Sequence, residues 1–405
     1  MRFFKSIVKQ IYGSQLRGLG ATTLTLVLLT GCASHSPPKP DEGKVKQFAK
    51  QGYLTDDHYG ITTTFATWAL GDSSFDVALT VPAKPGPFPL VIYLPALGET
   101  RSTGDAWRSA WAQGGYAVVS IQPLREDATA WSSAQARMGD FAVLARERYS
   151  GEAMAARIEA LRAVLAELIR RHDRQEAPLD RIDLSRAAVV GFDLGAYTAM
   201  VLAGESSRSA VQPSLQIPIK AVIALSPYAD FSGAPFGERY KNIHGPILSI
   251  TSDNDGDALG VVPSPSVRRA PFEYMPGGDK YLLTLLDIPH RTLAGGELKQ
   301  DPEENQSPEK AMAGSNNPQG GGRRGGRRKG GGSAGGSSNG DQGRYGRSES
   351  MMGISPTAQA IGVIAIQGVT TAFLDAYVKN DPIALEWLGK DASRWIKNRG
   401  EIRKK

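Results

Sequence analysis

The sequence predicts the α/β class: a mostly parallel central sheet with helices on both faces and no large cap domain. Three observations predict it. Short apolar runs at 90–94, 116–121 and 187–190 alternate with helix-length segments. The strongest of these segments, 152–171, sets Ile158, Leu161, Val164, Leu165 and Leu168 at helical spacing. Between the strand at 187–190 and a helix from Ala196 lie Gly191-Phe192-Asp193-Leu194-Gly195, a sharp strand-to-helix turn.

The remaining elements follow in order. Residues 61–70 and 75–81 read as opening strands, the first rich in Thr, with Gly71-Asp72 as the turn between them. Pro87-Phe88-Pro89 leads into the buried strand at 90–94, and a helix at 106–113 stops at Gly114-Gly115. Strands follow at 221–225, 247–250 and 281–286, and 358–378 is a last helix apolar enough to pack on the sheet.

Not all 405 residues belong to that core. The first 31 carry Arg2, Lys5, Lys9 and Arg17 without an acid, then an apolar run at 19–29, which together describe a secretory signal. Leu29-Thr30-Gly31-Cys32 resembles a bacterial lipobox. That resemblance implies cleavage before Cys32, acylation of Cys32 and anchoring in membrane lipid. Ala33 and Ser34 follow, and the absence of Asp directly after Cys32 implies the outer membrane, facing the periplasm. Cys32 is the only cysteine, which excludes an intramolecular disulfide and any Cys-based metal cluster. Residues 32–50 read as a polar tether with several prolines, 51–296 as the α/β core and 353–405 as its C-terminal helices.

Between those two parts, 297–352 form a Gly/Arg-rich insertion too poor in apolar groups to offset its chain entropy, so disorder is expected. Its Arg323, Arg324, Arg327, Arg328 and Lys329 suit weak contact with anionic envelope polymers. The formal charge of +6 comes from the signal segment and the insertion: the signal holds four positives, and the insertion nine against seven acids. The body is close to neutral, so no nucleic-acid partner is expected.

The chemistry gathers at strand ends. Asp193 occupies the tip of the turn, the position of the nucleophile in the G-x-S-x-G elbow of α/β-hydrolases. The strand at 247–250 runs into Thr251-Ser252-Asp253-Asn254-Asp255-Gly256-Asp257, where Asp255 best matches a triad acid, with Asp253 and Asp257 as alternatives. The strand at 281–286 runs into Asp287-Ile288-Pro289-His290, and His290 alone of the five histidines stands where a catalytic base belongs. Oxyanion donors are expected from the N–H of Leu194 and of Ala96 or Leu97 in the loop Pro95-Ala96-Leu97-Gly98-Glu99. The Asp/Asn/Gly loop also makes an ordinary turn and completes no EF-hand pattern, so no metal and no cofactor are expected.

On these residues, and on 90–98, 114–121, 189–204, 247–257, 280–290 and 373–388, the chain resembles the dienelactone hydrolase and platelet-activating-factor acetylhydrolase group of α/β-hydrolases. The resemblance implies cleavage of a small ester-type substrate by a Ser or Cys at the elbow; here Asp193 stands in its place. A carboxylate accepts an acyl group poorly but displaces well at saturated carbon, as in haloalkane dehalogenases and epoxide hydrolases, which also use an aspartate. Those families often carry Trp after the aspartate and a helical cap; here Leu194 follows, and 226–245, with Tyr228 and Tyr240, is too short for such a cap. Three readings stand: an active hydrolase using Asp193, a non-catalytic envelope-binding lipoprotein, and a hydrolase with another nucleophile, for which neither Tyr197 nor Thr198 sits at the tip. If Cys32 is the anchor, deleting 297–352 leaves the protein in the envelope fraction of lysed cells, checked by immunoblotting the fractions.

Overall fold

The computed structural model describes residues 39–55, 58–206, 214–295 and 355–405. Cys32, the signal segment and the basic run Arg323, Arg324, Arg327, Arg328 and Lys329 lie outside the described residues.

Strand β3 (Phe88–Leu94) is buried at every position, the mark of a strand covered on both faces. Around it run β1 (Ile61–Leu70), β2 (Ser73–Pro82), β4 (Ala117–Ile121), β5 (Ile182–Phe192), β6 (Ile219–Leu225), β7 (Ile247–Ser252), β8 (Lys280–Leu285) and β9 (Gly400–Lys404). They form one nine-stranded sheet in the order β1-β2-β4-β3-β5-β6-β7-β8-β9. The block from β4 to β8 is parallel, while β1, β2 and β9 pair antiparallel at the margins. The described part of the chain is thus a mixed α/β structure.

Successive strand residues point to opposite faces, and each face has its own helices. On one side Val91, Tyr93, Val118, Ala188 and Val190 pack with Trp107 and Trp111 of α2 (Asp105–Gln113) and with Ile366, Val369 and Phe373 of α5 (Pro356–Val378). On the other, Leu90, Ile92, Val119 and Val189 meet Leu161, Val164, Leu165 and Leu168 of α3 (Gly151–Asp173) and Ala196, Ala199 and Met200 of α4 (Leu194–Leu202). The buried indoles keep their N–H bonds: Trp111 Nε1 donates to Thr370 Oγ1 at 2.9 Å and Trp107 Nε1 to the Leu293 carbonyl at 3.0 Å. Helix α5 is long and apolar enough to cross a membrane, but 72% of its most apolar window is buried inside the fold.

Two elements depart from the sequence reading. Within the segment read as a tether, Glu42–Lys50 forms a helix, α1, capped by Asp41 accepting from the Lys44 N–H. It is held by Phe48 stacked on Trp395 at 4.6 Å. The C-terminal segment read as helical also ends in a strand: β9 is Gly-Glu-Ile-Arg-Lys, whose charges fit a solvent-facing edge and hide the apolar alternation. A further group of short helices, Arg125–Ala128, Ala134–Arg137 and Phe141–Arg148, fills the stretch between β4 and α3.

Strand order reverses between β3 and β5, so their C-terminal ends open side by side at the switch point of the sheet. Backbone contact there is close. A Cβ on Gly195 would lie 1.9 Å from the Leu94 carbonyl oxygen, and one on Gly191 2.1 Å from that of Gly195. Gly195→Ala is therefore expected to lose about 3 kcal/mol or more of stability. Gly237→Ala, where an added Cβ meets nothing within 4 Å in a short helix, should be neutral or slightly stabilising in the same urea unfolding experiment.

Candidate functional site

One residue makes the turn between β5 and α4. Asp193 has φ 51° and ψ −107°, a conformation that a side chain with a Cβ adopts only under constraint. Its N–H donates to the Leu225 carbonyl at 3.0 Å and its carbonyl accepts from the Tyr197 N–H at 2.9 Å, which locks the turn to β6 and to α4. Ser226 after β6 and Asp287 after β8 also have positive φ, 54° and 55°, so backbone strain gathers along this sheet edge.

The histidine and one acid meet there. His290 Nδ1 lies 2.7 Å from Asp255 Oδ1. Asp255 is fully buried and also accepts from Ser226 Oγ at 2.8 Å and from Thr251 Oγ1 at 2.7 Å. With Nδ1 donating to the carboxylate, Nε2 is left as the basic nitrogen of the neutral ring. Burial works against the charged imidazole, but the Asp255 hydrogen bond and the charges of Asp255 and Asp193 outweigh it and hold the His290 pKa above its ordinary value. Burial likewise opposes the Asp255 charge, yet His290 and Arg268 bring its pKa below the usual carboxylate range. Asp253 accepts the Asp287 N–H at 2.8 Å, and Asp257 accepts the N–H groups of Leu259, Val261 and Val262. Those two acids shape loops, and neither meets the imidazole by hydrogen bond.

Arg268 joins the elbow to this pair. Its guanidinium has no solvent exposure and donates to the carbonyls of Asp255, Ser226 and Pro227 at 3.1–3.2 Å. Its Nε lies 3.4 Å from Asp255 Oδ1, and its Nη1 lies 3.9 Å from Asp193 Oδ1. The other Asp193 oxygen, Oδ2, accepts the Tyr149 hydroxyl at 2.9 Å. Burial raises the Asp193 pKa; the charges of His290 and Arg268 and the Tyr149 bond offset this in part, with Asp257 adding to the rise. The net position is above an ordinary aspartate. Tyr149 packs against Tyr228 at 4.6 Å, which in turn lies 4.9 Å from Tyr197, so three rings close one side of the site.

The backbone N–H groups expected to act as oxyanion donors lie in differing states. Leu194 opens α4, so its N–H has no intrahelical acceptor. Leu97 is buried against Tyr149, Leu194 and Tyr197 in a small apolar cluster. The Ala96 N–H, however, donates to Glu99 Oε2 at 3.0 Å. Burial lifts the Glu99 pKa to about 7, opposed by the Ala96 bond and the His290 charge and aided by Asp193.

The site thus brings together Asp193, Asp255, His290, Leu194, Ala96 and Leu97. It adds Tyr149, Ser226, Arg268 and a role for Glu99. Nothing local in the sequence marks Tyr149 or Arg268. Arg268 stands next to a second arginine, Arg269, and only the fold buries it. Among the described residues, no group of three or more His, Cys, Asp or Glu side chains is arranged to hold a metal. No family model matches the chain, and no curated protein matches it either.

The charges lend themselves to a stability test. Asp255→Asn leaves Arg268 buried beside a neutral group and should cost about 3–5 kcal/mol. Asp193→Asn removes a carboxylate whose ionisation the folded state disfavours, so at neutral pH it should raise the urea midpoint. Opposite shifts in the two unfolding curves are the expected outcome.

Proposed function

We propose that this chain is an α/β-hydrolase, held at the cell envelope by lipidated Cys32, that uses Asp193 to take up an alkyl group from a small substrate. The observation that carries the reading is the 2.7 Å pairing of His290 with Asp255, at the same sheet edge as the strained Asp193 turn. The strand order β1-β2-β4-β3-β5-β6-β7-β8, with the elbow after β5, supports the fold assignment.

The chemistry runs in two steps. Tyr149 holds Asp193 Oδ2, which leaves Oδ1 to attack a saturated carbon. The new C–O bond forms as the bond to the leaving group breaks, and the leaving group departs with that electron pair. The product is an alkyl ester of Asp193. His290 Nε2 then takes a proton from water, whose oxygen adds to the ester carbon of Asp193. The Leu194 N–H faces the oxyanion of that intermediate. Collapse expels the alcohol, which takes its proton from His290, and the carboxyl is restored. Serine needs a base to become a nucleophile; Asp193 needs none, and His290 is free to serve the second step alone.

A second reading has one observation in its favour: Glu99 already occupies the Ala96 N–H, as expected of a site that binds rather than turns over. A single turnover in heavy-oxygen water separates the two. On the hydrolase reading, one water oxygen enters the Asp193 carboxyl, seen by mass spectrometry of the peptide that carries it, and Asp193→Asn takes up none. If esters, epoxides and haloalkanes all go unconsumed and Asp193 stays unlabelled, the non-catalytic reading replaces it.

A further inference from the structure

Helix α1 is fastened along one side of the body. At its start the Asp41 N–H donates to Thr357 Oγ1 at 2.8 Å, in the first turn of α5. Beyond its end the Tyr53 hydroxyl donates to Asp375 Oδ2 at 2.9 Å, in the last turn of α5. Between these points it lies against Trp395, whose Nε1 donates to the Phe48 carbonyl at 2.9 Å. Gly52 sits so close to the same indole that a Cβ there would meet it at 2.5 Å. Residues 41–53 therefore move with the body and are not slack chain.

That shortens the link to Cys32. Seven residue steps separate Cys32 from Lys39, and extended chain spans at most about 25 Å over that number. A folded body of about 300 residues has a radius of gyration of about 20 Å and is more than twice that across. A protein anchored at Cys32 thus brings the side that carries α1 to the bilayer and keeps the opposite side, which carries α3, away from it.

The side that carries α1 has an interfacial composition. Phe48, Trp395, Trp387 and Tyr53 form a row of rings, with successive centroids 4.6, 5.6 and 5.4 Å apart. Trp387 belongs to α6 (Pro382–Lys390), and Ile383 lies one turn before it on the same helix face. Ile383 is 71% exposed, and Leu54, next to Tyr53, is 70% exposed. A lone exposed apolar side chain is ordinary. Two that flank a row of Trp and Tyr rings match a bilayer interface, where such rings sit at headgroup level. Residues 39–54 and 381–398 hold seven Lys or Arg against five Asp or Glu, so this side does not repel anionic headgroups.

We propose that this face, made by α1, Tyr53-Leu54 and α6, is a second membrane contact that lies on an anionic phospholipid bilayer. Leu54 and Ile383 enter the boundary between headgroups and acyl chains, and the exposed Lys44, Lys46 and Lys50 reach the headgroups along their flexible stems. The proposal rests on lipidation of Cys32. Acyl chains alone hold the protein at the membrane but leave the body free to turn; the face fixes its orientation.

The test uses the intact lipoprotein. With Cys32 acylated the wild type has no free thiol, so Leu54→Cys, Ile383→Cys and Met138→Cys each offer one site for a nitrobenzoxadiazole label. Met138 is 74% exposed and precedes α3, on the opposite side of the sheet from α5, which makes it the control. Each protein is reconstituted into vesicles of phosphatidylethanolamine and phosphatidylglycerol that contain a spin-labelled phospholipid. The expected result is blue-shifted emission and strong quenching at 54 and 383, and neither at 138. Ile383→Asp added to the Leu54→Cys protein should abolish the quenching at 54 while the protein stays on the vesicles through its acyl chains, with an unchanged unfolding midpoint. Equal quenching at all three sites, or none, on vesicle-bound protein overturns the proposal and spares the anchor. A blue shift at 54 and 383 that grows with protein concentration and needs no lipid assigns the face to a second copy and overturns it too. A wild type that takes up the label has a free Cys32, and then both the anchor and this proposal fail.

Discussion

Gly195 lies bare against the Leu94 carbonyl, and the arrangement of the site depends on that contact. A side chain at 195 would hold α4 away from the end of β3. The elbow and the loop from Pro95 to Glu99 would then separate, and with them Asp193, the Leu194 N–H and the Ala96 N–H. The contact exists because β3 and β5 are parallel neighbours at the point where strand order reverses. Gly191 serves the same approach from the other side of the turn, which is why the motif has glycine at both ends and tolerates other residues between them.

The geometry so fixed puts charge where water is scarce, and the second layer of the site deals with that. Asp255 has no exposure and would be costly alone; His290, Arg268, Ser226 and Thr251 satisfy it. Arg268 in turn is anchored by the backbone carbonyls of two loops, those following β6 and β7. A guanidinium suits this place better than an ammonium because its planar fork reaches several acceptors at once. One buried cation therefore connects the acid loop, the strained Ser226 corner and the elbow, so these parts of the site hold together or fail together.

Much of this was legible in the sequence, for physical reasons that also explain what was not. Buried parallel strands read as unbroken apolar runs, so β3 to β8 stood out, and α3 announced itself through helical spacing. The order of elbow, acid loop and histidine could be followed because each comes directly after a strand. The pairing of His290 with Asp255, and not with Asp253 or Asp257, required coordinates: all three acids lie in one turn-forming stretch, and the local chain does not say which of them faces inward. Edge strand β9 and helix α1 were hidden by their charge, since neither buries a continuous apolar face. Tyr149 and Arg268 come from segments far from the strand ends and reach Asp193 only through the tertiary fold.

The surroundings of Asp193 bear on what that residue is for. Exchanging a neutral serine for a carboxylate in an otherwise unchanged pocket would place an unpaired anion at a buried site, an arrangement that is expensive in free energy. Asp193 is not in that position. A tyrosine hydroxyl meets one of its oxygens and a buried guanidinium approaches the other. Neither feature is needed by a serine nucleophile, whose requirements end with its histidine and its oxyanion donors. Both favour the ionised aspartate and keep one oxygen oriented, although burial still holds the Asp193 pKa above its ordinary value. The compensation comes from the end of the short-helix segment before α3 and from the turn after β7. That spread argues for a site organised around a carboxylate rather than a serine site with one letter changed, and it is the physical ground for preferring the alkyl-transfer reading to the relic.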